Sequence, residues 1–317
     1  MLEILYSREL AALGMDRQLR HWYARGIVTR IAPGAYARTA DLAALDRDAA
    51  FRLRMIALAQ LHPHVQFSHD SAAAMWRLPS LGPWPNLAHV SAPRESGGRS
   101  TALFTRHGVG LDPRATSIEG VRVSSLARTL AEMATHRRFA RAVAMLDDGL
   151  RQHDETEYRH GLAVPGKHEI VDELDQLGKV PGFARAAHAV QFADGRSGSA
   201  GESLSRVQML ALGVDIPELQ VSFHDAAGWI GDGDFFWRDR GIVGEFDGDS
   251  KYGDARRYAR VLTAEEVLIA EKRREDRLRR VVNGVLRWDW SVARDRRALA
   301  ARLAEHGIKP RRSTRWL

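Results

Sequence analysis

The chain has 317 residues, 44% of them hydrophobic and 27% charged, a balance that suits a globular protein with two or three domain cores. It contains no cysteine, which excludes disulfides and thiolate zinc sites and leaves oxygen or imidazole as the ligands for any metal. The net charge of +7 is uneven: residues 251–317 hold 19 Lys and Arg against 9 Asp and Glu, a localised basic surface that attracts polyanions, nucleic acid first.

No stretch approaches 18 uninterrupted apolar residues, and the start "MLEILYSREL" lacks a basic leader and an apolar core, so a cytoplasmic protein without membrane contact is expected. In chain order, "SRELAALGM" predicts a short helix closed near Gly14. "DRQLRHWYARG" predicts a second helix with Asp16 as N-cap, Leu19, Trp22 and Tyr23 inward, and Arg17, Arg20, His21 and Arg25 outward. "IVTRIAPGAYAR" then predicts a hairpin around Pro33-Gly34 that carries Arg30 and Arg38. Helix, turn, helix and hairpin outline a winged helix-turn-helix over residues 1–40, with the basic second helix suited to a DNA major groove.

Residues 41–190 predict a mixed helical and strand region without evident chemistry. "DLAALDRDAAFRLRMIALAQL" and "LARTLAEMATHRRFARAVAMLDDGLRQ" each read as one long helix, "FSHDSAAAMWRL" as a shorter one, and "LAHVSAP", "ALFTRHGV" and "GVRVSS" as strands. His62, His64 and His69 raise the question of a metal, but Pro63 breaks any helical spacing and no acidic partner repeats nearby. "DGRSGSAGES" reads as a linker.

After it the order is helix, three strands, helix, strand, helix over residues 197–317, a small mixed sheet flanked by helices, making the whole an α+β multidomain chain. The stretch "GIVGEFDGDSKY" runs a buried strand into Glu245 and Asp247, which share one strand face, and Asp234 on the preceding strand can reach them across a hairpin. Three converging carboxylates repel one another unless neutralised, so a hard cation such as Mg²⁺ or Mn²⁺ fits the set. Glu202 sits in "SAGE", where taken singly it reads as the glutamate of a capping box that satisfies a helix N-terminus.

"GDGDFFWRDRGIVGEFDGDSKYG", followed by "EKRREDRLRRVVNGVLRWDW", resembles the restriction-endonuclease-like superfamily, in particular nuclease-like domains related to very-short-patch-repair endonucleases, over residues 197–306. The resemblance implies metal-binding acids at Asp234 and Glu245, a further acid at Glu202, and hydrolysis of DNA. It also places Asp247 where the superfamily usually has a catalytic lysine, so Lys251 or Lys272 is expected to supply the cation. Arg273, Arg274 and Arg277, with Arg279 and Arg280, are expected on DNA phosphates.

The front half, "SRELAALGMDRQLRHWYARGIVTRIAPGAYAR" with "GVRVSSLARTLAEMA", resembles AbiE-type antitoxins, which implies promoter DNA and a toxin-like protein as partners. Two functions therefore stand: a metal-dependent endonuclease with a DNA-binding winged helix, or a catalytically inactive DNA-binding regulator or antitoxin.

Overall fold

The computed structural model describes residues 2–151, 163–248 and 264–310, which are mixed α and β. The chain divides into two compact units, Met1–Arg137 with His153–His188, and Arg138–Gln152 with Ala189–Leu317. Among the described residues no helix is long and apolar enough to cross a membrane.

The first unit opens with β1 (Leu5–Tyr6), α1 (Ser7–Ala12), α2 (Asp16–Ala24), β2 (Val28–Ala32) and β3 (Ala35–Arg38). The strands form an antiparallel sheet in the order β1-β3-β2, and Leu10, Leu19 and Val28 make a small core with Trp22 and Tyr36 against it. Two sequence expectations change here. Asp16 is the first helical residue rather than the cap, and Tyr23 is 49% exposed, edge-on to Tyr36 at 5.7 Å instead of in the core.

Next come α3 (Thr39–Ala43), α4 (Arg47–Leu61) and α5 (His69–Met75). The single helix expected over 41–61 is broken because Asp46 accepts a hydrogen bond from Ala49 N–H at 2.6 Å and restarts the chain as an N-cap. β4 (Ala88–Ser91) and β5 (Phe104–His107) pair in parallel, and β6 (Thr116–Ile118) and β7 (Val121–Val123) form a hairpin. Phe67, fully buried, bridges Val90 and Val123 and so ties the two pairs together.

The long helix expected from Leu126 is two: α6 (Leu126–His136) and α7 (Phe139–Leu150). Arg137 and Arg138 are extended between them, and Arg137 turns back to donate through Nε to Asp70 Oδ1 at 3.0 Å. α8 (Lys167–Leu177) and α9 (Phe183–Phe192) follow. α7 belongs with the second unit.

That unit continues with α10 (Ala200–Leu212), β8 (Glu218–Asp225), β9 (Gly228–Trp237), β10 (Ile242–Asp247), α11 (Ala264–Val281), β11 (Gly284–Asp289), α12 (Trp290–Arg294) and α13 (Arg296–Ala304). The sheet order is β11-β10-β9-β8, antiparallel from β8 to β10, with β11 parallel to β10 after the α11 crossover. Strand alternation sorts the side chains. Phe235, Trp237, Ile242, Phe246, Leu286 and Trp288 build one core with Met209, Ala293, Leu299 and Leu303, whereas Ile230, Phe236, Val243 and Val285 meet Leu278 of α11 on the other face.

The stretch expected as a linker is packed. Ser197 is fully buried, Asp147 of α7 accepts from Asp194 N–H at 2.7 Å, and the buried Arg206 donates to Asp147 Oδ2 at 2.6 Å. Gly and Ser serve here for close approach, not flexibility. Gly201 shows it best: a Cβ there would lie 2.0 Å from the Phe246 ring, so only glycine lets the first turn of α10 touch β10.

Candidate active site

β9 and β10 pair through Val243 and Phe236, and alternation along β10 carries Glu245 and Asp247 onto the sheet face of Val243, which α11 covers. Asp234 Oδ2 accepts from Phe246 N–H at 2.7 Å, which pins it against the strand that holds Glu245. Glu202, 5% exposed on the first turn of α10, accepts through Oε2 from Gly198 N–H at 2.6 Å. Ser199 caps that helix by accepting from Glu202 N–H at 3.2 Å, but the reciprocal bond of a capping box is displaced by one residue, because the Glu202 carboxylate takes Gly198 N–H and not the N–H of Ser199.

The link between them is a residue the sequence did not single out. Gln220 of β8 donates through Nε2 to Glu202 Oε2 at 3.0 Å and to Asp234 Oδ1 at 3.2 Å, bridging the two carboxylates. Its backbone has φ +50, a left-handed conformation uncommon for a non-glycine residue, and this turns the side chain toward the acids. A polar residue amid "ELQVSFHD" was the signal that could have found it.

Burial and mutual repulsion mark this pair electrostatically. The Glu202 carboxyl is pushed up to about 7, first by burial and then by the Asp234 charge. Asp234 is pushed up to about 6, again first by burial, with the Phe246 N–H opposing and Glu245 adding to the rise.

Glu245 is buried at 6% exposure, and guanidinium groups meet both of its oxygens. Arg274 of α11 donates to Oε1 at 2.9 Å, and Arg287, its register partner on β11, pairs with Oε2. Both arginines also reach Glu271 Oε1 at 3.0 Å, whose carboxyl is drawn down to about 2 chiefly by the Arg274 bond. Asp247, half-buried, is 3.9 Å from Arg287. Arg287, set between Leu286 and Trp288, was missed in the sequence; a charge between two large apolar residues of a strand was its signal.

The lysines expected to supply a cation are placed otherwise. Lys251 lies outside the described residues, and Lys272 is exposed on α11 and is not among the groups that pair with Glu245. Of the arginines assigned to phosphates, Arg277 is held by Asp225 (2.6 and 2.8 Å) and Arg279 by Glu275, while Arg273 is exposed and makes no ion pair among the described residues. In the first unit Arg17, Arg20, His21, Arg25 and Arg30 are all exposed and make no ion pair among the described residues. The structure brings Glu202, Asp234, Glu245 and Asp247 together.

No family model matches the chain. Two curated proteins of Mycobacterium tuberculosis are similar to it, the uncharacterized protein MT2308 (strain CDC 1551 / Oshkosh) and the uncharacterized protein Rv2248 (strain ATCC 25618 / H37Rv). Each is 32% identical over 134 residues, which is 42% of this chain and 46% of the relative. The chain thus spans about half the length of the curated relatives it matches.

Proposed function

We propose that the second unit is a divalent-cation-dependent phosphodiesterase that cuts DNA, with the restriction-endonuclease-like fold its motif resembles, and that residues 1–40 are a winged helix that holds the duplex. The observation that carries the reading is the convergence of Glu202, Asp234 and Glu245 from a helix and two strands, linked by Gln220 and the Phe246 N–H. The donor set fits a hard cation: carboxylate oxygens only, two of them with proton affinities raised by burial and by a neighbouring acid.

Asp234 and Glu245 would hold Mg²⁺ or Mn²⁺, with Asp247 beside them. When bound, such an ion polarises a phosphoryl oxygen and acidifies a coordinated water. Glu202, with its carboxyl pushed up to about 7, is suited to exchange a proton near neutral pH. Arg274 and Arg287 take the part expected of Lys251 or Lys272: they neutralise Glu245 in the free protein and can turn to the charge that develops on the phosphate. Gln220 fixes the separation of Glu202 and Asp234. The exposed Arg17, Arg20, Arg25 and Arg30 suit phosphate contacts in the duplex.

One observation favours a second reading. Guanidinium groups on both oxygens of Glu245 form a closed ion-pair network, which suits a regulator or antitoxin that binds DNA, and a toxin-like partner, without cutting. Incubation of the full chain with supercoiled, linear and single-stranded DNA, with and without Mg²⁺ or Mn²⁺, separates the two. Metal-dependent cutting that disappears in Glu245→Gln supports the enzyme; DNA retention without cutting in any metal supports the regulator.

A further inference from the structure

Away from the acids, the first unit gathers four histidines from four elements. His69 opens α5, His89 lies on β4, His107 on β5 and His136 ends α6. Phe67 is the cause: its bridges to Val90 and Val123 run on into Ser68 N–H donating to His89 O at 3.0 Å, which sets the start of α5 beside β4. The six centroid distances that join the four rings lie between 3.6 and 6.1 Å, and His69 stacks on His107 at 3.6 Å with 13° between the planes.

Three groups in this cluster converge as ligands do. Asp70, His89 and His136 each offer a ligand atom, and these atoms lie within 4.8 Å of one another. His107 Nε2 is hydrogen-bonded to His89 Nδ1 at 3.1 Å, a separation close to the roughly 3.3 Å between ligand atoms of a tetrahedral centre with bonds of about 2.0 Å, so a metal ion could take the place of the shared proton. The same His89 Nδ1 is 3.6 Å from Asp70 Oδ2. Beside them stands a group that orients a ligand: Arg137 donates through Nε to Asp70 Oδ1 at 3.0 Å. A cavity of about 460 Å³, lined by His69, His107 and His136 with Val109, Leu177 and Arg185, opens the cluster to exchange.

We propose that Asp70, His89 and His136, with His107 as the fourth group, form a binding site for one divalent transition-metal ion of the zinc class. Imidazole nitrogens with one carboxylate suit Zn²⁺, Co²⁺ or Ni²⁺ and not the hard cation assigned to the acids of the second unit. His136, at the end of α6, is the exposed member of the set.

This site was hidden from sequence because residues 69, 89, 107 and 136 follow no local ligand spacing. His62 and His64, which stand near His69 in the chain, take no part: His62 packs edge-on to Phe104 and His64 is exposed.

The test is a Co²⁺ titration of the full chain after chelation, followed by visible ligand-field absorption and then by Zn²⁺ displacement. One equivalent of Co²⁺ per chain, displaced by one of Zn²⁺, is expected. His89→Ala and His136→Ala should each weaken binding at least about tenfold, the lower bound for removing even an orienting partner, and Glu245→Gln should leave it unchanged. His89 is buried, so if His89→Ala fails to fold the exposed His136→Ala decides alone. Wild-type affinity in the folded His136→Ala variant, or Co²⁺ binding that disappears only in Glu245→Gln, overturns the proposal.

Discussion

Replacing Glu202 with Gln should stabilise the second unit at alkaline pH and hardly at all in acid. Gly198 N–H and Gln220 Nε2 reach the same oxygen, Oε2, so a Gln carbonyl placed there keeps both of these bonds, and the Ser199 hydroxyl can bond an amide as well as a carboxyl. The carboxyl rises from 4.5 to about 7 on folding, hence the folded state binds the proton more tightly, and wild-type stability falls as pH rises from about 4.5 to about 7. At about 1.4 kcal/mol per tenfold change in proton affinity, that interval sets a ceiling of about 3 kcal/mol at pH 8 and about 1 kcal/mol at pH 5. Titration linked to Asp234 brings the expected gain at pH 8 to about 1–3 kcal/mol. Urea denaturation of the metal-free full chain at both pH values measures it, with hydrogen exchange of the β9 and β10 amides locating the transition. A Gln variant equal to or weaker than wild type at pH 8, or a gap that does not widen from pH 5 to pH 8, refutes the reasoning.

Asp234→Asn should behave differently, because its two oxygens accept from different donors and Asn must turn an N–H₂ toward one of them; relief of charge is then offset by one broken hydrogen bond worth about 1 kcal/mol, visible as a smaller gain than in Glu202→Gln. Gly201→Ala should cost about 1–3 kcal/mol, since the new methyl overlaps the Phe246 ring, and a thermal scan showing wild-type stability would mean that α10 can draw back freely. Arg274→Ala leaves Glu245 with Arg287 alone and should tighten Mn²⁺ binding while weakening DNA binding; calorimetry showing weaker Mn²⁺ binding would contradict the clamp. Replacing Arg17, Arg20 and Arg25 by Ala should lower the salt slope of duplex binding by about 0.9 for each phosphate no longer neutralised, and an unchanged slope would remove α2 from the DNA surface.

The second unit was legible because its elements announce themselves locally. Alternation fixed β8, β9 and β10, the Arg238–Arg240 turn fixed the pairing of β9 with β10, and that pairing put Asp234 beside Glu245. Gln220 and Arg287 were harder, since one depends on an unusual backbone conformation and the other on a register set across a long crossover. Helix breaks at Asp46 and at Arg137–Arg138 interrupt no periodic pattern; a cap and a bond to the distant Asp70 impose them. Gly and Ser at 195–199 predict flexibility from composition, but what they permit here is tight packing that only the tertiary partners explain.

β8, β9 and β10 are joined by tight turns and can gather early through local contacts, whereas β11 must close the long stretch between Asp247 and Gly284 before it docks. In the interval β10 is an open edge of apolar strand, the kind of surface on which a second chain can template itself. Glu245 and Asp247 place negative charge on that edge until Arg287 arrives, so the acids of the finished site also act as gatekeepers of the unfinished sheet. Neutralising Glu245 removes that guard at the moment of assembly, and refolding yield, rather than the stability of the folded chain, is where the loss will first register.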